Sequence, residues 1–271
     1  MGKLYDKAFS NYNTRLSGTP LAIDWGFERT SQLIPGWVKE SYTIVTGNTG
    51  AAKTKLTKYL VLFNLINYIR SSGIKAKVKW YALEESEDYF KYGLICTELA
   101  EQYGLFYSPV KLLSYEKELI PKEHLELVRI LDDYIEEHYM SFIEVITHIR
   151  NGTGIYKDVR AYLHTIGEDI KNAEGHIIGY KPYSDEFVFV VIDHATFLSA
   201  EKIDGTDDQW NSLRYLSQQY LSSQLKDRFK CVVILIQQQA SETERQEFYK
   251  GETIVSKLEP SLNGLGKMIK N

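Results

Sequence analysis

Hydrophobic and polar positions alternate along this chain in a readable order. Tyr42-Thr43-Ile44-Val45-Thr46 is aromatic and β-branched, which predicts a strand. From Lys53 to about Ser71, Leu56, Leu60, Phe63, Ile66 and Ile69 recur at helical spacing, and Gly73 ends the run. Ala76 to Leu83 predicts the next strand. Residues 86 to about 173 read mostly as helices, with amphipathic periods over His124–Leu131 and Asp158–Leu163. Gly175, Gly179 and Pro182 mark a loop. Phe187-Val188-Phe189-Val190-Val191-Ile192 is apolar at every position, as a strand covered on both faces should be. A helix from about Gln209 to Lys226 leads to a second such run, Cys231 to Ile236. Strands alternating with helices predict an α/β fold: a mostly parallel central sheet flanked by helices on both faces.

Composition narrows the picture. A chain of 271 residues with 44% hydrophobic content can bury a large core, and 25% charged residues argue against wholesale disorder. No repeat, low-complexity tract or evident linker divides it. The expected organisation is an N-terminal arm and lead-in over 1–40, then one core over 41–271 that contains the helical stretch. The net charge of −4 is uneven: residues 1–80 sum to +8, 81–150 to −9 and 151–271 to −3. A basic first third suits anionic ligands, but no dense Lys/Arg run marks a nucleic-acid binder on charge alone. The apolar run Tyr59–Ile69 is interrupted by Asn64 and Asn67 and is too short to span a bilayer. The N-terminus has no signal-peptide core, and Cys96 and Cys231 are too far apart for a metal knuckle. A soluble, intracellular (cytoplasmic) protein without a membrane partner is expected.

Between the first strand and its helix lies Gly47-Asn48-Thr49-Gly50-Ala51-Ala52-Lys53-Thr54. It follows the phosphate-loop pattern GxxxxGK[ST] except that Ala52 replaces the second glycine. Small residues let backbone N–H groups wrap a triphosphate, and the helix N-terminus adds partial positive charge. Lys53 is placed to neutralise the β/γ-phosphates of ATP, and the Thr54 hydroxyl to hold Mg²⁺. The Cβ of Ala52 is expected to crowd the loop or the γ-phosphate.

Asp193 directly follows the apolar strand, where a carboxylate supports Mg²⁺ through water. Glu84 and Glu85 follow the second strand, and strand ends on one edge of a parallel sheet converge on a ligand crevice. Either can serve as general base, and Glu84-Glu85-Ser86-Glu87-Asp88 equally suits an acidic first helical turn. Gln237 lies just beyond Ile236, where an amide can sense the γ-phosphate or simply leave a sheet. His194 is expected to pack.

Taken together, Gly47–Thr54, Tyr81-Ala82-Leu83-Glu84-Glu85, Val190-Val191-Ile192-Asp193-His194 and Val233-Ile234-Leu235-Ile236-Gln237 resemble the motor domain of DnaB-type replicative helicases, a RecA-like branch of the phosphate-loop ATPases. Asp24-Trp25-Gly26-Phe27 and Pro35-Gly36 resemble that family's approach to the first strand. The resemblance implies that Glu84, matching the Glu of a Ser-Leu-Glu signature, is the catalytic base, and that Gln237 is the γ-phosphate sensor. It also implies a hexameric ring with single-stranded DNA in its channel, met by loops that here fall at 240–257 and carry Arg245, Lys250 and Lys257. Replication proteins are the implied partners. Three departures stand out. Ala52 alters the phosphate loop, residues 1–40 leave no room for a primase-interacting domain, and the core is expected to be incomplete at its C-terminal end, with no assignable arginine finger.

The expected function is therefore an ATP-hydrolysing motor translocating on single-stranded DNA. The alternative is a degenerate RecA-like module that binds ATP and assembles or recruits partners without unwinding. A small-molecule kinase fits less well, since 86–173 offers only Arg129, Arg150 and Arg160 to clamp phosphates.

Overall fold

The computed structural model describes residues 3–16, 18, 20–48, 50–202, 208–238, 248–249 and 252–253. Helix α1 (Lys3–Leu16) comes first, followed by strand β1 (Ala22–Ile23), the single-turn α2 (Glu28–Ser31) and strand β2 (Trp37–Val38). β1 pairs antiparallel with β2. Strand β3 (Ser41–Gly47) opens the central sheet. Helix α3 (Lys53–Lys58) continues without a break through a wider, π-type turn at Tyr59–Phe63 into α4 (Asn64–Ser72). Then come β4 (Lys75–Ala82), α5 (Glu87–Tyr103), the short α6 (Pro109–Leu112), α7 (Lys122–His138), β5 (Ile143–Ile146) and α8 (Gly152–Leu163). The chain continues as β6 (Gly167–Lys171), β7 (Ile177–Pro182), β8 (Glu186–Asp193), α9 (Gln209–Tyr215, prolonged in wide turns over Leu216–Arg228) and β9 (Val232–Gln238). A two-residue ladder pairs Phe248–Tyr249 with Glu252–Thr253.

Five strands form the central sheet in the order β3-β9-β8-β4-β5, and every pairing is parallel. The two-residue period of a strand sends alternate side chains to opposite faces, and both faces are covered. Val78, Trp80, Phe187, Phe189, Val191, Val232 and Ile234 pack into one core with α4, α5 and α7. Tyr81, Val188, Val190, Ile192, Val233 and Leu235 pack into a second core with α8 and α9. That is the sandwich expected of the uninterrupted apolar runs.

Three local expectations are refined. The stretch 86–173 is mostly helical, as α5 to α8, but the strands β5 and β6 also lie within it. β5 is only four residues long, Ile-Glu-Val-Ile, and its Glu144 takes an ion pair from Lys79 of β4 at 2.8 Å. Such a short edge strand carries little periodic signal. The 175–182 loop is instead a hairpin, β6 with β7, turned at Gly175. Leu56 does not join the buried stripe of its helix and is 45% exposed, whereas Thr57, Val61, Leu62 and Leu65 are buried. The widened turn at 59–63 changes the phase of the helix, so a strict 3.6-residue period misplaces its first member. Among the described residues, no helix is long and apolar enough to cross a membrane.

Candidate nucleotide site

The carboxyl ends of β3, β9, β8 and β4 lie side by side. Gly47 is in register with Gln238, Thr46 with Gln237, Asp193 with Ile236, and Ala82 with Asp193. One sheet edge therefore brings together Gly47–Thr54, Gln237, Asp193 and the Glu84 turn.

The phosphate-loop segment runs from the end of β3 into the first turn of α3. Ala51 N–H donates to Asn48 O at 3.1 Å, and Leu56 N–H closes on Ala52 O at 2.9 Å. Thr49 lies outside the described residues. Gly50 has φ +77° and Ala52 φ +56°, ψ +28°, so the backbone turns twice through left-handed geometry before the helix starts. A methyl side chain at Ala52 provides no oxygen to cap the first turn, which leaves its N–H groups suited to an anion. The Lys53 ammonium donates to Gly47 O at 3.0 Å and to Asn48 O at 2.9 Å, so its charge lies over the loop.

Thr54 Oγ1 donates to Asp193 Oδ1 at 3.0 Å. Asp193 is 3% exposed, and burial pushes its carboxyl up to about 6. The Thr54 hydrogen bond and the Lys58 charge oppose that rise, and the Glu85 and Glu84 charges add to it. A hydroxyl bonded to a buried carboxylate beside an uncapped helix start is a chemically suitable holder for Mg²⁺, which keeps most of its waters and takes few protein ligands. Among the described residues no group of three or more His, Cys, Asp or Glu side chains forms a cage. The peptide between Asp193 and His194 is cis.

The two glutamates after β4 differ in burial and in partner. Glu85 is turned inward and pairs with Lys58 Nζ at 2.6 Å, both side chains being largely buried at 16% and 11% exposure. Burial lowers the affinity of Lys58 for its proton, and the Glu85 and Asp193 charges counter this. The same ammonium lies 4.0 Å from the centre of the Phe90 ring. Glu84 is exposed and lines a cavity of about 920 Å³ together with Glu85, Lys58, Thr54, Asp193 and Tyr107. Gln237 is buried at the end of β9. His194 is also buried, with Nδ1 2.5 Å from Thr196 Oγ1 and its ring tilted on Phe197. Burial lowers its pKa. Arg245, Lys250 and Lys257 lie outside the described residues.

Lys58 was invisible to motif reasoning because the pattern ends at Thr54. A signal did exist: a lysine one helical turn beyond Thr54, entering an otherwise apolar run, needs a partner.

No protein-family model matches the sequence, and no curated protein matches it. Among solved structures, one described as a DnaB-like replicative helicase and its interactions with primase superposes on 98% of this chain with a TM-score of 0.63 at 16% sequence identity. This chain spans about half of that one, 53% of its length. At that identity the likeness concerns architecture: this protein has a RecA-like α/β fold of the DnaB kind.

Proposed function

We propose that the protein is a phosphate-loop ATPase working as a helicase-type motor on single-stranded DNA, assembled as a ring. One observation carries the reading: Lys53 and Thr54 at the start of α3 and Asp193 at the end of β8, far apart in sequence, meet at one sheet edge, joined by the Thr54–Asp193 hydrogen bond. Gly47, Asn48, Thr49, Gly50, Ala51 and Ala52 present backbone N–H groups to the phosphates of ATP. Lys53 exchanges its bonds to the Gly47 and Asn48 carbonyls for phosphate oxygens. Thr54 holds Mg²⁺, and Asp193 supports it through water. Bound there, Mg²⁺ would supply positive charge against the phosphates. Glu84, exposed at the cavity, orients and deprotonates the attacking water, and Gln237 reports the γ-phosphate to β9. Arg245, Lys250 and Lys257 track the DNA backbone. A solved helicase of this fold is described with its primase, which makes replication proteins the natural partners to test.

Lys53→Ala is expected to lower ATP turnover by roughly 10²-fold or more, because it removes a preorganised charge from the transition state. Unchanged hydrolysis in that variant would remove the assignment. Stimulation of turnover by single-stranded DNA distinguishes the motor from a second reading, an ATP-binding module that assembles without unwinding. The left-handed backbone at Ala52 favours that second reading, since a side chain occupies a position where the loop pattern has glycine. Tight binding with no DNA-stimulated turnover would establish it.

A further inference from the structure

We propose that Lys58 and Glu85 form a strut that fixes the turn after β4, and with it Glu84, beside Thr54 and Asp193. The proposal rests on the reading of Glu84 as the base, and it concerns positioning, since the two residues of the strut are engaged with each other.

The turn is held residue by residue. Leu83 N–H donates to Asp193 O at 2.6 Å, tying the start of the turn to β8. Ser86 Oγ accepts from Tyr89 N–H at 3.2 Å and so caps α5. Between them, Glu85 points inward to Lys58 at 2.6 Å. Glu84, Glu85 and Lys58 all line the cavity that Thr54 and Asp193 also line, but Glu85 is largely buried and paired with Lys58, which leaves Glu84 as the exposed carboxylate. The other end of the strut is equally constrained. Lys58 lies one helical turn beyond Thr54, on the same face, and the fully buried Phe90 ring of α5 closes over its ammonium. The pair thus ties three elements to one another: the phosphate-loop helix, the turn after β4, and α5.

Stability alone gives little reason to keep such a pair. Removing two charges from water costs about as much as their attraction returns, and apolar replacements of buried ion pairs are often neutral or stabilising. What an apolar pair does not supply is a charge attraction that draws the turn carrying Glu84 toward α3. The strut therefore separates geometry from stability.

The test compares the parent with Lys58→Met/Glu85→Leu, which removes both charges together, and with Lys58→Arg, which keeps the pair. Three quantities are read: amide exchange at Glu84 and Glu85, single-turnover ATP hydrolysis, and Mg·ADP affinity. The double variant is expected to exchange about tenfold faster or more at those two amides, as a local opening does. Its hydrolysis is expected to fall about 10²-fold, the effect of a small misplacement of a reacting group, with ADP affinity within about twofold of the parent. Lys58→Arg should match the parent in all three. If the double variant does not fold, Glu85→Gln, which retains shape and loses charge, should raise exchange at the same two amides. Exchange within twofold of the parent in a folded variant overturns the strut. Faster exchange with unchanged hydrolysis overturns its link to Glu84. The ATPase reading itself fails separately, if Lys53→Ala hydrolyses ATP like the parent, and the exchange result still decides whether the tether exists.

Discussion

Ala52 holds a backbone conformation that L-residues enter at a cost of roughly 1–2 kcal/mol, because Cβ crowds the following carbonyl. Glycine carries no such penalty, although it gains freedom in the unfolded chain. Ala52→Gly is therefore expected to raise stability by about 1 kcal/mol or less and to tighten ATP binding, read by chemical denaturation and calorimetry. Weaker binding in that variant would mean that the methyl group helps to shape the loop. Asp193 presents the opposite balance, a residue kept in spite of stability. Its folded pKa is raised, to about 6, above that of an unfolded aspartate. Between roughly pH 4 and 6 the native state therefore binds a proton that the unfolded chain has released, and stability falls as pH rises through that window. Above it the buried carboxylate remains a cost of about 3 kcal/mol. In EDTA without nucleotide, Asp193→Asn should accordingly be more stable than the parent at pH 7.5, and the two should converge near pH 4. A variant less stable than the parent at pH 7.5 would show that the ionised carboxylate contributes favourably to the fold.

At the scale of elements, the approach to β3 is a tight joint. Gly36 has φ +97°, and a Cβ there would come within 2.1 Å of Ile23 O, across the β1–β2 pairing. Backbone cannot yield as a flexible side chain does, so Gly36→Ala is expected to cost more than about 2 kcal/mol and to lower the melting temperature by several degrees. A thermal melt within a degree of the parent would place the joint elsewhere. This region also shows what sequence can and cannot report. β8 and β9 were legible because burial on both faces leaves continuous apolar runs, β3 and β4 through their β-branched and aromatic residues, and residues 47–54 as the turn between a strand and a helix. β5 was not legible: four residues with a glutamate among them lack a period, and only the neighbouring β4 makes them a strand. On the residues alone the choice between Glu84 and Glu85 was open for a similar reason, and only the family resemblance pointed to Glu84. Adjacent carboxylates look alike in sequence, and what separates them is Lys58, twenty-six or twenty-seven residues upstream and brought close by the α3–β4 crossover.

For the whole molecule, the sheet order determines where ligand energy enters. β3 and β4 are consecutive in the chain but are separated in the sheet by β9 and β8, so the candidate nucleotide edge joins segments from residue 47 to residue 238. A ligand bound across that edge favours the folded state by mass action, about 2.7 kcal/mol at a hundred times its dissociation constant. Mg·ATP should thus raise the melting temperature of the parent and leave Lys53→Ala nearly unmoved. The ring reading adds a stricter requirement. Mass in solution with a non-hydrolysed ATP analogue and an oligonucleotide should reach about six times that of the subunit, and should fall when nucleotide is withdrawn. DNA held by a few cations on each subunit should weaken with salt, with a log–log slope of about 0.7 for each phosphate neutralised. A monomer that binds ATP tightly under all these conditions would sink the motor and leave the nucleotide site standing, because the edge that assembles Lys53, Thr54 and Asp193 is complete within one chain.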